Sequence, residues 1–309
     1  MTTVDGPIPR PDQTAPANDP AAHAMLRRAY EATYRYPPGF AGFRAALEFT
    51  RSDPAAPGAA HVARGQVQAR SPQAVSVEVE TDAAGRNWLW QELASIIGHR
   101  WPTPYEEADG RHGLTLGPDD GHPLGRLLQV HGDRFGSSYR VRDGQIAQII
   151  RRFGNMRFAI HIQERVATSD GRTLPTQFTV AYWEARDAGG ADDPQGAPAG
   201  RQDGGTAAGA AGASGAGEPW RLTRADTYSD HYVCVAGLYL PECRRVITAD
   251  DRGLAVHEVR LSGHALLPPA GRGTEGGAPA PAEGAGAGEG IVRRGTRAGG
   301  MGHLAQERR

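Results

Sequence analysis

Lysine is absent from the sequence, and all 34 basic residues are arginines. The chain also has 42 glycines and 23 prolines. Coding bias toward these residue types explains the arginines more simply than selection for a bidentate fork that binds phosphate or carboxylate. Basic and acidic residues nearly balance, and the formal net charge is −1. Because a nucleic-acid-binding surface needs a basic excess, we predict no nucleic-acid partner.

Long apolar runs are lacking as well. No stretch approaches the ~18 apolar residues of a membrane-spanning helix. Residues 1–20 do not show the basic start and apolar stretch of a signal peptide. These absences predict a soluble, cytoplasmic protein without a membrane span.

Cysteine is scarce, with only Cys234 and Cys243. A turn after Cys234 would pair it with a residue near Tyr239, which leaves Cys243 beyond the roughly 7 Å that a disulfide can bridge. Two free thiols are therefore expected. Phosphate-loop, dinucleotide-binding and serine-nucleophile motifs are also missing, so the sequence predicts no metal, no cofactor and no catalytic residue.

Three stretches contain few apolar residues of any size: residues 1–23, 187–217 and 268–309. Such segments bury too little apolar surface to offset the entropy cost of ordering. We expect an N-terminal and a C-terminal disordered tail, and a disordered insert. They leave a single α+β domain over residues 24–267.

Within that domain, period-two alternation predicts a run of antiparallel strands. Tyr139 and Val141 alternate with arginines, Asp143-Gly144 forms a tight turn, and the returning strand follows. Two helices are predicted by their 3.6-residue periodicity, over residues 21–36 and 83–99. The fold class is therefore α+β: a curved antiparallel sheet, or half-barrel, wrapped on two helices.

Several segments resemble an uncharacterised bacterial and plastid family, domain of unknown function 3386. They include LRRAYEATY from Leu26, PGFAGF from Pro38, GDRFGSSYRV from Gly132, YSDHY from Tyr228 and GLYLPECRR from Gly237. The layout also resembles the half-barrels of lipoprotein carriers (LolA-like), in which helices plug a curved sheet. The family resemblance implies a fold but no reaction.

The apolar and aromatic residues suggest where a ligand could bind. Plain packing of helix on sheet accounts for them, but an imperfect plug would leave an apolar cavity between the sheet and the second helix. An anionic headgroup could then contact an arginine at the end of that helix. The predicted ligand-binding residues are Trp88, Trp90, Arg100, Phe158, Tyr182 and Tyr228.

These residues favour a non-enzymatic module that binds an apolar or amphipathic small molecule. One alternative is an enzyme of unknown reaction that uses His161, Asp230 and Tyr228 from neighbouring strands. Another is a scaffold that acts through its disordered arms. The sequence leaves the oligomeric state open.

Overall fold

A computed structural model describes residues 18–52, 60–185 and 220–269. The predicted insert, the C-terminal tail from residue 270 and most of the N-terminal tail lie outside the described residues. The first helix begins at Pro20, a few residues before the domain boundary expected at residue 24.

Both predicted helices are present, each with an aspartate at its N-cap. Helix α1 spans Pro20–Glu31, and the Asp19 carboxylate accepts a hydrogen bond from the amide of Ala21. Helix α2 spans Ala83–Gly98, and Asp82 caps it by accepting from Gly85 at 2.7 Å.

The prediction that the first helix continues to residue 36 is wrong. After Glu31 the chain becomes extended, and the amide of Tyr34 donates to the carbonyl of Thr173 at 2.9 Å. β-branched and aromatic residues followed by two prolines are poor helix formers. Pairing with the sheet therefore competes successfully with another helical turn.

Within the described ranges, twelve strands form the sheet. They are β1 (Phe43–Ser52), β2 (Ala60–Ser71), β3 (Ala74–Val79), β4 (Gly113–Leu116), β5 (Arg126–His131), β6 (Ser138–Arg142), β7 (Gln145–Phe153), β8 (Met156–Ala167), β9 (Thr173–Ala185), β10 (Trp220–Val235), β11 (Leu238–Asp250) and β12 (Gly253–Leu266).

The sheet is a single antiparallel meander with one long-range pairing. Its order is β3-β2-β1-β12-β11-β10-β9-β8-β7-β6-β5-β4, so the strand near the start of the domain pairs with the last one. The predicted turn joins β6 to β7, and Asp143 and Gly144 take the positive φ values of 51° and 72° that such a turn requires. β3 and β4 remain edges, so the curved sheet is not closed.

Both helices pack on the same face of the sheet, which we call the inner face. Helix α1 covers β4 to β7, where Leu26 and Ala29 meet Leu128 and Tyr139. Helix α2 covers the other half and buries Leu93 and its neighbours against β1, β11 and β12. The central strands β8 to β11 lie between the two helices.

The free-thiol prediction is confirmed. Cys234 lies opposite Tyr239 in the register of β10 and β11, as expected, and Cys243 lies opposite His231. Neither cysteine forms a disulfide, and only Cys243 is buried. In the described part of the chain, no helix is long and apolar enough to cross a membrane.

Candidate ligand-binding face

The central strands align their inner-face side chains in rows. One row crosses four strands as Arg151, Phe158, Tyr182 and Arg224. The next parallel row begins with Ile160 and continues through Val180 and Asp226. Directly opposite residues of antiparallel strands share a face, so register alone places aromatic, aliphatic and charged side chains side by side.

These rows contain an apolar group that we call the central cluster. Its buried members are Phe158, Val180, Tyr228 and Val246, and its partly buried members are Trp88, Ile160, Phe178 and Tyr182. The rings of Phe178 and Tyr228 stack with their centroids 4.4 Å apart, and those of Phe158 and Tyr182 lie 6.0 Å apart. The cluster therefore offers a partly exposed aromatic surface on the inner face.

Helix α2 contributes Trp88 to this surface. Its ring stacks on His257 at 4.8 Å and on Phe49 at 5.4 Å. Trp88 thereby belongs to the contact between helix and sheet and to the border of the central cluster. Interactions that hold α2 on the sheet therefore also position Trp88 at the border of the central cluster.

A buried ion network fixes the helix. Arg244 donates to both carboxylate oxygens of Asp230, at 2.8 and 2.7 Å, and to Glu92 of α2 at 2.9 Å. The three residues are exposed by 3%, 1% and 8% of their surface. Burial raises the pKa of the Glu92 carboxyl, and Arg244 only partly offsets that effect.

A second ion pair lies at the edge of the central cluster. The fully buried carboxylate of Asp226 accepts two hydrogen bonds from Arg224, at 2.8 and 2.7 Å, and one from Thr248. The Arg224 guanidinium also lies 5.3 Å from the centre of the Tyr182 ring. Burial raises the pKa of Tyr182, and the Asp226 charge raises it further, so this hydroxyl is a neutral polar group beside the cluster.

Four of the six predicted ligand-binding residues meet here: Trp88, Phe158, Tyr182 and Tyr228. Trp90 lies outside the central cluster. It packs against the core that α2 forms with β1, β11 and β12. Trp88 and Trp90 are two positions apart on α2 and so point about 200° apart, and only Trp88 also reaches the central cluster.

Arg100, which the sequence suggested as a headgroup contact, is buried. It is 4% exposed and donates to the carbonyl of Ile96 at 2.9 Å and to the hydroxyl of Tyr232. Burial lowers its pKa to about 10, although Asp230 acts in the opposite direction. The residue anchors the end of α2 to β10, and it lies outside the central cluster.

The cavity expected behind α2 is nearly filled. The space between the helix and strands β11 and β12 measures about 10 Å³, beside Glu92, Leu93 and Arg244. That is room for a single water at most. A larger open depression of about 650 Å³ lies at the ends of β9 to β12, beside Glu184 and Arg221.

The hypothetical enzyme site does not form. His161 lies opposite Thr179, which in turn lies opposite Thr227. His161 is therefore on the outer face, where it shares a 2.8 Å hydrogen bond with Gln148, whereas Tyr228 and Asp230 are on the inner face. Among the described residues, no group of three His, Cys, Asp or Glu side chains is arranged to hold a metal ion.

One feature of the site escaped sequence reasoning. Arg244 follows a cysteine in an ordinary strand pattern, and its partners Asp230 and Glu92 lie 14 and 152 residues away. Period-two parity could have placed Arg244 on one face of its strand, but not on the face that α2 covers.

Comparison with known proteins agrees with the resemblance found in the sequence. The model of a family described as protein of unknown function (DUF3386) matches residues 17–193, more than half of the 309-residue chain. No curated protein matches.

Two solved structures are similar in layout. One is a LolA superfamily protein from Nitrosomonas europaea, with 12% identity and a TM-score of 0.34, covering 80% of this chain and 94% of that one. The other is a putative outer membrane lipoprotein-sorting protein domain from Vibrio parahaemolyticus, with 7% identity and a TM-score of 0.30, covering 82% and 94%. Both similarities concern the overall layout and say nothing about individual residues of the site. By its family match, the chain belongs to the DUF3386 family.

Proposed function

We propose that this protein is a non-enzymatic binding module that holds an apolar or amphipathic small molecule on the inner face, between α1 and α2. One observation carries the proposal. Trp88, Phe158, Tyr182 and Tyr228, which come from a helix and three strands, meet in one partly exposed aromatic cluster. Ligand sites are mostly apolar, with a few polar groups that set orientation, and this cluster has that composition.

The packing of α2 on the sheet favours one position for such a ligand. The space behind α2 is about 10 Å³, too small for any organic molecule, so a ligand would rest against the rings of the central cluster. The partly buried members Ile160, Phe178 and Tyr182 would become fully buried on binding. Covering apolar surface is favourable by roughly 25 cal/mol per Å².

The polar groups around the cluster suit binding better than catalysis. Arg224 is committed to Asp226, and Arg244 to Asp230 and Glu92. The histidine of the hypothetical catalytic set lies on the other face of the sheet.

Titration with N-phenyl-1-naphthylamine tests the proposal. This uncharged fluorophore brightens in apolar surroundings, so saturable fluorescence reports binding. Changing Tyr182 to Ala removes a partly exposed ring and should weaken binding about tenfold, taking ~50 Å² of lost contact at ~25 cal/mol per Å².

Trp183 provides the matched control. It is the next residue of β9, is also aromatic and partly buried, and lies on the outer face opposite Arg157. Trp183→Ala should bind the fluorophore as the wild type does. Equal losses in the two variants, or no saturable binding by the wild type, would overturn the proposal.

A further inference from the structure

Arg151 stands out among the arginines of the inner face. It lies directly opposite Phe158, at the border of the central cluster. In the row that continues through Tyr182, Arg224 occupies the other side of the same ring pair. Two arginines thus flank the rings of Phe158 and Tyr182.

The two arginines differ in their partners. Arg224 donates two hydrogen bonds to the carboxylate of Asp226. Arg151 interacts with the hydroxyl of Tyr139 but makes no salt bridge with an acidic residue in the described ranges, and its buried Nε has no hydrogen-bond partner. Nearly all buried polar groups in folded proteins are hydrogen-bonded, so this unused Nε–H donor needs an explanation.

The acidic groups near Arg151 are hydrogen-bonded to other residues. Asp109 accepts a 3.0 Å hydrogen bond from the hydroxyl of Tyr139. Asp133 accepts from the amide and the hydroxyl of Ser137. Burial lowers the pKa of Arg151, but Tyr139, Asp109 and Asp133 outweigh burial and leave that pKa raised. The guanidinium is therefore positively charged, and its Nε–H donates no hydrogen bond.

Arg151 also lies near two aromatic rings. Its guanidinium carbon lies 5.6 Å from the centre of the Phe135 ring, and the Phe153 ring is 6.1 Å from Phe135. Phe153 is 43% exposed, so this margin of the inner face is open to solvent. A ligand lying on the central cluster can therefore reach Arg151 with one end.

The geometry points to a ligand with an anionic head, which Arg151 binds while the apolar tail lies along Phe158 and Tyr182. This inference rests on the proposed function and deepens it by naming the ligand class, a single-chain amphiphile with a carboxylate or phosphate head. Arginine suits both heads, since its planar fork donates two parallel hydrogen bonds to either. Arg151 takes the headgroup role that the sequence suggested for Arg100.

Arg157 offers a control on the same hairpin. Its Nε is also buried without a hydrogen-bond partner. It lies on the outer face, however, opposite Arg152, and its guanidinium packs 5.4 Å from the ring centre of Trp183. The two arginines share the unpaired donor and differ in access to the central cluster.

Displacement of N-phenyl-1-naphthylamine by four ten-carbon amphiphiles tests the inference on the full chain. The probes are decanoate, decyl phosphate, decanol and decyltrimethylammonium. Each is titrated at pH 8 into wild type, Arg151→Gln, Arg151→Lys and Arg157→Gln, with melting temperatures recorded on the same samples.

In the wild type, both anions should displace the fluorophore at concentrations about tenfold or more below that of decanol, as a charge-assisted hydrogen bond would give. The cationic probe should be the weakest. Arg151→Gln should abolish the preference for the anions and leave decanol unchanged, Arg151→Lys should retain part of the preference, and Arg157→Gln should retain all of it.

The two proposals fail in different ways. If the wild type binds decanol and decanoate equally, or if Arg157→Gln abolishes the preference as fully as Arg151→Gln, the headgroup inference is wrong while the binding function stands. If the fluorophore does not bind at all, both fail. The comparison of headgroups on the wild type remains decisive even if an Arg151 variant does not fold.

Discussion

Replacing Arg244 by Met tests whether the buried ion network holds α2 on the sheet. Methionine keeps an apolar stem of similar length but removes three charge-assisted hydrogen bonds, two to Asp230 and one to Glu92. It leaves two carboxylates in positions exposed by only 1% and 8%. The substitution therefore removes the arginine and leaves the buried carboxylates of Asp230 and Glu92 without it.

The expected magnitude follows from that asymmetry. Breaking a buried ion pair by removing one partner costs about 3–5 kcal/mol, because an uncompensated buried charge remains. For a domain of this size, 1 kcal/mol shifts the melting temperature by roughly 2–4 °C, so Arg244→Met should melt about 10 °C below the wild type.

Urea unfolding of matched variants measures the effect. Arg245 is the control, since it is the next residue and pairs with Glu258 at 2.6 Å, but its side chain is 49% exposed. An exposed pair contributes about 0–1 kcal/mol, so Arg245→Met should lose no more than that. Adding Glu92→Leu to Arg244→Met should restore part of the lost stability by removing one of the two stranded carboxylates.

Two results would refute this reasoning. One is a loss below about 1 kcal/mol in Arg244→Met, which would show that the network is not coupled to folding. The other is a double variant less stable than the single one, because that outcome would mean that Glu92 stabilises the fold without its arginine.

Two further predictions concern Glu92 of α2 and Arg100, which lies two residues beyond the end of that helix. For Glu92, burial raises the folded-state pKa above the ordinary carboxyl value of 4.5, so the native state binds more protons than the unfolded one just above that pH. The unfolding free energy of the wild type minus that of Glu92→Gln should then fall with rising pH, by at most about 1.4 kcal/mol per pH unit, until Glu92 is ionised in both states. Urea titrations from pH 4 to 8 measure this difference, and a flat or rising difference would contradict the prediction. For Arg100, Arg100→Gln removes buried hydrogen bonds to Ile96 and Tyr232 and should cost about 2 kcal/mol, after partial relief of the buried charge. Its affinity for N-phenyl-1-naphthylamine should not change, and weaker binding at unaltered stability would return Arg100 to the ligand site.

Local sequence pattern predicted most of the sheet because strand parity is a local property. The turn at Asp143-Gly144 and the pairing of Cys234 with Tyr239 both follow from short-range signals. Parity also placed Tyr228 and Asp230 on one face of β10. These features need only a few consecutive residues and the geometry of a pleated strand.

Features that depend on distant partners could not be predicted. Arg100 is buried because Tyr232, 132 residues further along the chain, approaches the end of α2. His161 is excluded from the Asp230 and Tyr228 face by a register that runs through β9. Sequence spacing gives the parity within each strand, but the alignment between strands requires the folded structure.

The location of a bound amphiphile tests the central claim most directly. We would record intermolecular nuclear Overhauser effects between decanoate methylene protons and the side chains of ¹³C-labelled protein. The account predicts contacts with the rings of Phe158 and Tyr182, and none with Trp183 on the outer face. Contacts confined to Trp183, or to Leu93 behind α2, would contradict it.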